Sequence, residues 1–244
     1  NFSLNRSKVL VLSEDKDIFG GELDNTILKD QLNLMRVGEP MYVFYGYVED
    51  GYDENGHIVY KNMDDDSAIT AADKTIIGDP NPDFLVNLTT AVSYKGFTLS
   101  AFFQSSIGND IYSLSMAAQA YDYGYNGNTL REVYYNHWTP ENPTAKYPNL
   151  DQTSYKMSDR FVYDGSFVRL KNLELAYDVP CARSKFIKRA RVYVSAQNLF
   201  TITSYPFWDP DINANGGGSS MIQGVDSYCY PSARTYTIGC RLTF

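Results

Sequence analysis

Residues 83–106, DFLVNLTTAVSYKGFTLSAFFQSS, restrict the possible fold more than any other stretch of this chain. Phe84, Val86, Leu88, Val92 and Tyr94 fall at alternate positions, and so do Phe97, Leu99, Ala101 and Phe103. Lys95-Gly96 supplies a two-residue turn between the two sets. Across such a turn Tyr94 and Phe97 pair directly and point the same way, so both apolar sets share one face. Asn87, Thr89, Ser93, Thr98, Ser100 and Gln104 take the other face, with Leu85 and Phe102 as exceptions. The stretch is predicted to be a β-hairpin with one apolar and one polar face.

The same pattern recurs downstream. Val192, Val194 and Ala196 oppose Arg191, Tyr193, Ser195 and Gln197. Tyr236, Ile238, Cys240, Leu242 and Phe244 oppose Thr235, Thr237, Gly239, Arg241 and Thr243. Within 165–180 the parity slips: Val168 and Leu170 lie on one face, Leu173, Leu175 and Tyr177 on the other. That slip predicts a bulge near Lys171–Asn172. Further strands are expected at about 2–12 and within 31–48, giving about seven in all. Helical periodicity is scarce.

The connections are lopsided. Counted back from Phe244, they fall at 203–233, about 179–189, 106–165, 95–96 and 49–82, alternating long and short. The long ones far exceed the usual span of about 4–6 residues. Tight turns at one end of a sheet and long loops at the other describe a transmembrane antiparallel β-barrel, with one face for lipid and the other for a wet lumen. A β-sandwich would be more even-handed. No run of about 18 apolar residues exists, which excludes membrane-spanning helices but not spanning strands, which need only about 9–11 alternating residues.

Composition narrows the partners. The net charge of −8 argues against nucleic acid, whose binders carry a basic stripe. Cys181, Cys229 and Cys240 have neither metal-ligand spacing nor an even-numbered disulfide framework. No signal peptide is read at its start, so the chain is expected to be either cytoplasmic or a C-terminal piece of something longer.

Six segments, in order, carry a family resemblance: RVGEPMYVFYGYVEDG (36–51), DKTIIGDPNPDF (73–84), FFQSSIGNDIY (102–112), DGSFVRLKNLELAYDVP (164–180), VYVSAQNLFTIT (192–203) and YPSARTYTIGCRLTF (230–244). Together they resemble the C-terminal barrel region of the SusC/RagA family of TonB-linked outer-membrane proteins. The resemblance implies a 22-stranded barrel filled by an N-terminal plug, energised by the TonB complex through a TonB box. It also implies a SusD-like surface lipoprotein as partner, outer-membrane lipid around the wall, and oligosaccharides or peptides as ligand. Residues 1–244 are then expected to be one C-terminal portion of the barrel domain, with plug and TonB box absent from this chain. The closing strand, with Tyr236, Ile238, Cys240, Leu242 and Phe244 alternating to a terminal aromatic, resembles the signal read by the outer-membrane assembly machinery. Its expected partner strand lies upstream of Asn1.

Two stretches are candidate sites. NMDDDSAITAAD (62–73) matches a calcium-type loop, with Asn62, Asp64, Asp66 and Asp73 at ligand positions and Thr70 beside them. Ser67 replaces the glycine that such a loop wants, and a solvated acidic turn is the plainer reading. No cofactor is required; calcium or magnesium is the candidate ion. The aromatics Tyr121, Tyr123, Tyr125, Trp138, Phe207 and Trp208 fall in long loops, where they would stack on sugar rings, meet the lipoprotein lid, or pack the loops together. Catalysis has little support: His57 and His137 lie in different loops, and no Ser or Cys has a nucleophile setting. The glycine-rich stretch 215–218 is no phosphate cradle, and the sequon Asn87-Leu88-Thr89 falls in an expected membrane strand. The reading is an outer-membrane importer, not an enzyme. A secreted β-rich carbohydrate-binding module is the alternative.

Overall fold

The computed structural model describes residues 1–24, 28–121, 128–181, 186–212 and 221–244. Its main element is a six-stranded sheet whose neighbours follow chain order, every pair antiparallel. We number its strands β1 (Phe2–Ser3), β2 (Phe84–Tyr94), β3 (Phe97–Ile107), β4 (Phe167–Val179), β5 (Arg189–Thr203) and β6 (Thr235–Thr243). The last five are 9 to 15 residues long, enough to cross a bilayer at a tilt. Lys95 and Gly96 have φ of 48° and 86°, the paired left-handed geometry that joins twisted strands in two residues.

Direct pairing carries the apolar residues across the sheet in rows. Tyr94 faces Phe97, then Tyr177, Val192 and Cys240; Val92 faces Leu99, then Leu175, Val194 and Ile238. All of these side chains but the half-buried Tyr177 are exposed, Ile238 at 87% and Val92 at 65%. Water does not tolerate a contiguous apolar patch of this extent, whereas lipid requires it. The opposite face holds Ser100, Glu174, Ser195 and Thr237 in one row and Asp178, Arg191 and Arg241 in another. On this face Tyr193 lies over Gly239, where an added Cβ would sit 2.4 Å from the tyrosine ring.

The bulge falls where parity predicts it. Register shifts between Leu170 and Asn172 against β5, and between Phe102 and Phe103 against β4. On β5 the irregularity is absorbed by Asn198 at φ 50°, a conformation that asparagine tolerates better than most side chains. One extra residue returns Val168 and Leu170 to the apolar side of Leu173 and Leu175.

The long connections do not remain loops. The described residues of 4–83, 108–166 and 204–234 fold over one end of the wall into a cap containing a four-stranded sheet, a three-stranded sheet and two short hairpins. The three-stranded sheet joins Asp110–Ser113 to Val162–Asp164 and to Val225–Asp226, stitching two connections together. Helix α1 (Leu114–Tyr121) and helix α2 (Arg131–Tyr135) complete the cap. Its core includes Leu28, Leu32, Phe44, Tyr112, Val133, Met157, Phe161 and Val225, all at most 2% exposed.

Two strand expectations are corrected here. Only Phe2–Ser3 of 2–12 pairs with the wall, so β1 is a two-residue edge. The 31–48 stretch forms Asn33–Met35 and Val43–Gly46 in the cap sheet instead. Gly38 at φ 98° and Pro40 turn the chain between them. Leu34, Val43 and Phe44 are buried in the cap, so their apolar character reflects a closed core rather than a lipid face. Among the described residues the wall therefore has six strands, against about seven expected.

Candidate ligand site on the inner face of the wall

Alternation along β4 sends Val168 and Leu170 to the apolar face and Arg169 to the polar one, at the end next to the cap. Arg169 is 1% exposed, the largest fully buried side chain among those described. A guanidinium at that depth needs every donor matched. Nε donates to Thr201 Oγ1 of β5 at 2.9 Å, and one terminal nitrogen donates to Ser232 Oγ at 3.1 Å. The other terminal nitrogen bonds Asp209 Oδ1, and Asp211 lies 3.5 Å from the guanidinium. Asp209 also accepts the backbone N–H groups of Asp211 and Ser232, both at 2.9 Å. Burial works to raise the Asp209 carboxyl, but these two N–H groups and the arginine outweigh it and hold the carboxyl below its usual value.

This clamp forms the floor of a cavity of about 320 Å3. Its walls include Thr201, Trp208, Ser232 and Arg234. Trp208 stacks on Phe207 with centroids 4.9 Å apart and remains 58% exposed. Arg234 is exposed and forms no ion pair among the described residues. The arrangement offers an aromatic face, hydroxyls and an uncommitted cation on the lumen side of the wall. Larger hollows, lined by Phe97, Leu175, Val194 and Ile238, lie on the apolar face and suit acyl chains.

A second buried network fixes the exit of β5 to the cap. Tyr205 Oη donates to Asp226 Oδ2 at 2.6 Å, and Ser113 Oγ lies within hydrogen-bond distance of it at 2.9 Å. Asp226, 1% exposed, also accepts Ser115 Oγ and the Cys229 N–H. Burial, reinforced by the Asp226 carboxylate, pushes the Tyr205 hydroxyl above its ordinary value. Within the cap, Arg160 Nε grips both Glu49 oxygens at 2.9 and 2.7 Å.

The sequence-expected residues separate into groups. Tyr121 is 5% exposed, stacked on Tyr155 at 3.7 Å and edge-on to Phe161, so it packs the cap rather than facing a ligand. Trp138 lies against Gly56, where a Cβ would come 2.2 Å from the indole and φ is 79°. Trp208 lines the cavity with Phe207 stacked on it and packed against the cap core, while Tyr123, Tyr125 and the 215–218 stretch lie outside the described residues. Tyr236, Ile238, Cys240 and Leu242 share the apolar face of β6, and Phe244 follows at the tight-turn rim, 72% exposed.

The 62–73 loop is tied together by its own side chains. Asp73 turns its carboxylate onto the backbone, accepting from Met63 and Thr70 at 2.7 Å each, and these bonds lower its pKa. Thr70 caps Ala72, Asp66 accepts the Ala68 N–H, and Asn62 donates to the Asp66 carbonyl. Among the described residues no three His, Cys, Asp or Glu side chains gather as a metal would need. Several of the loop's oxygens thus accept from its own N–H groups.

Sequence reasoning passed over Arg169, Asp209, Ser232 and Arg234. Their only local signals are a cation in an otherwise alternating strand and the Asp-rich WDPD turn, 40 residues apart.

Comparison with known proteins places the wall. No family model matches the chain. TonB-dependent receptor P3 of Formosa agariphila is 32% identical over the whole chain, and TonB-dependent receptor SusC of Bacteroides thetaiotaomicron is 27% identical. The chain covers 26% and 24% of those two proteins, about a quarter of the length of each. Among solved structures, the RagAB peptide importer in its closed-closed state superposes over the whole chain with a TM-score of 0.81 and 25% identity. Its open-open state gives 0.76 and 26%, again with 26% of the solved chain covered. A wall with an apolar outer face, a polar inner face and a cap at one end is a segment of an outer-membrane β-barrel. The chain belongs to the SusC/RagA-like TonB-dependent receptors. Those relatives are receptors and transporters by name, not enzymes.

Proposed function

We propose that this chain is part of an outer-membrane importer that takes up nutrients, oligosaccharides foremost, together with a SusD-like surface lipoprotein. The TonB complex energises it through a plug and TonB box carried by the remainder of the protein. The 32% identity to a TonB-dependent receptor across the whole chain is the observation that carries this reading. The lumen-side cavity adds to it, because an aromatic face beside hydroxyls suits a sugar ring. Peptide import is the second reading, supported by the whole-chain likeness to RagAB, a peptide importer.

Deleting the full-length gene and supplying single oligosaccharides or peptides as sole nutrient tests the two readings. Loss of growth on an oligosaccharide, restored by the intact protein but not by one lacking its TonB box, is the expected result. Loss on peptides alone would favour the second reading. A fragment of these residues that is soluble and folded without detergent would favour a secreted binding module and overturn both.

A further inference from the structure

The cavity above Arg169 is cationic in a chain that is otherwise acidic. The sequence carries a net charge of −8. Arg169, Lys171 and Arg234 stand at or beside the cavity against Asp209 and Asp211, which leaves one positive charge in excess. The excess falls on Arg234. Asp209 is consumed by Arg169 and two backbone N–H groups, and the Asp211 carboxylate is shared between Arg169 at 3.5 Å and Lys171 at 3.8 Å. Arg234 has no acid among the described residues to pair with, and it opens into the same 320 Å3 as the exposed ring of Trp208. One face of that ring is taken by Phe207, at an interplanar angle of 18°, so one face is left for a ligand.

We propose that this cavity is a subsite for a carboxylated sugar, a hexuronate unit within an oligosaccharide. The apolar face of the pyranose stacks on Trp208. Its carboxylate takes the fork of Arg234, whose two parallel N–H donors match a carboxylate in geometry as well as charge. Thr201 and Ser232, whose oxygens accept from Arg169, keep their own hydroxyl hydrogens free to meet ring oxygens. An acidic peptide shares the anionic group but offers no ring for Trp208, so the sugar is favoured. The proposal rests on the import reading and refines its substrate.

The test uses the full-length protein in detergent, with trigalacturonate, galactotriose and a triglutamate peptide as probes in calorimetric titrations. Trigalacturonate is expected to bind more tightly than galactotriose. Arg234→Gln is expected to weaken trigalacturonate about tenfold and leave galactotriose unchanged, since a hydrogen bond to a charged group is worth about that much. Trp208→Ala is expected to weaken both sugars, and Arg234→Lys to recover part of the loss. Indifference of trigalacturonate to Arg234→Gln while Trp208→Ala still weakens both sugars would overturn the anionic subsite and leave glycan import standing. Binding of triglutamate alone, dependent on Arg234, would overturn the sugar assignment and move the import reading to peptides.

Discussion

The wall and the cap are built from the same residue types by opposite rules. In the wall, Leu99, Leu175, Val194 and Ile238 are exposed. Its cohesion comes from continuous backbone pairing, and its apolar side waits for lipid. In the cap, Phe44, Tyr112, Met157 and Val225 are sealed from solvent by short strands drawn from three separate connections. An apolar residue in the wall is therefore stabilised by its surroundings, and one in the cap by its neighbours. The two regions meet at buried charge: Arg169 of the wall on Asp209, and Tyr205 at the exit of β5 on Asp226.

That junction is the place to break the comparison hardest. Arg169→Ala would leave Asp209 buried and unpaired, a change that typically costs about 3–5 kcal/mol. Thermal unfolding of the full-length protein should drop accordingly, with cap and wall both affected. A change confined to one of them would mean that the clamp does not join them.

Phe44→Ala tests the independence of the cap. Truncating a buried phenylalanine costs about 3–5 kcal/mol. Limited proteolysis should open the cap of this variant while the wall keeps its heat-resistant migration in detergent. Simultaneous collapse of the wall would show that the two do not fold by separate rules.

A matched pair of lysines tests the wall. Ile238→Lys places a charge in the middle of the lipid face, at about 2–4 kcal/mol, whereas Thr237→Lys, one residue away, faces the lumen. Folding titrations into bilayers should separate the two variants by most of that difference. Equal effects would contradict the assignment of faces.

Acid should act on the junction with a predictable sign. The Asp209 carboxyl is held below its usual value, so its contribution is complete above the unfolded value of about 4 and fades as pH falls through the lower folded one. Stability measured from pH 6 downward should decline below about pH 4 in the wild type and less steeply in Asp209→Asn.

Much of the wall was legible because its rule is local. The 84–104 alternation, the Lys95-Gly96 turn and the slip at Lys171–Asn172 can each be read within a few residues. The cap was not, since its rule is non-local. Residues 31–48 alternate like a wall strand, but Leu32, Leu34, Val43 and Phe44 are buried inside the cap. Helix α1, LSMAAQAY, shows no amphipathic period because seven of its eight side chains are buried. Tyr121 at its end looks like a loop aromatic for the same reason. The Arg169–Asp209 clamp shows the limit most plainly, since nothing near either residue names its partner 40 positions away.

The central claim is that this sheet is a membrane wall with lipid on the side of Ile238. Nitroxide labels placed singly at 235 through 242 in the full-length protein, with its native cysteines replaced and the protein in bilayers, test it directly. Collision with oxygen should peak at 236, 238, 240 and 242, and collision with a water-soluble nickel reagent at the positions between. Equal access of the water-soluble reagent to both sets would contradict it.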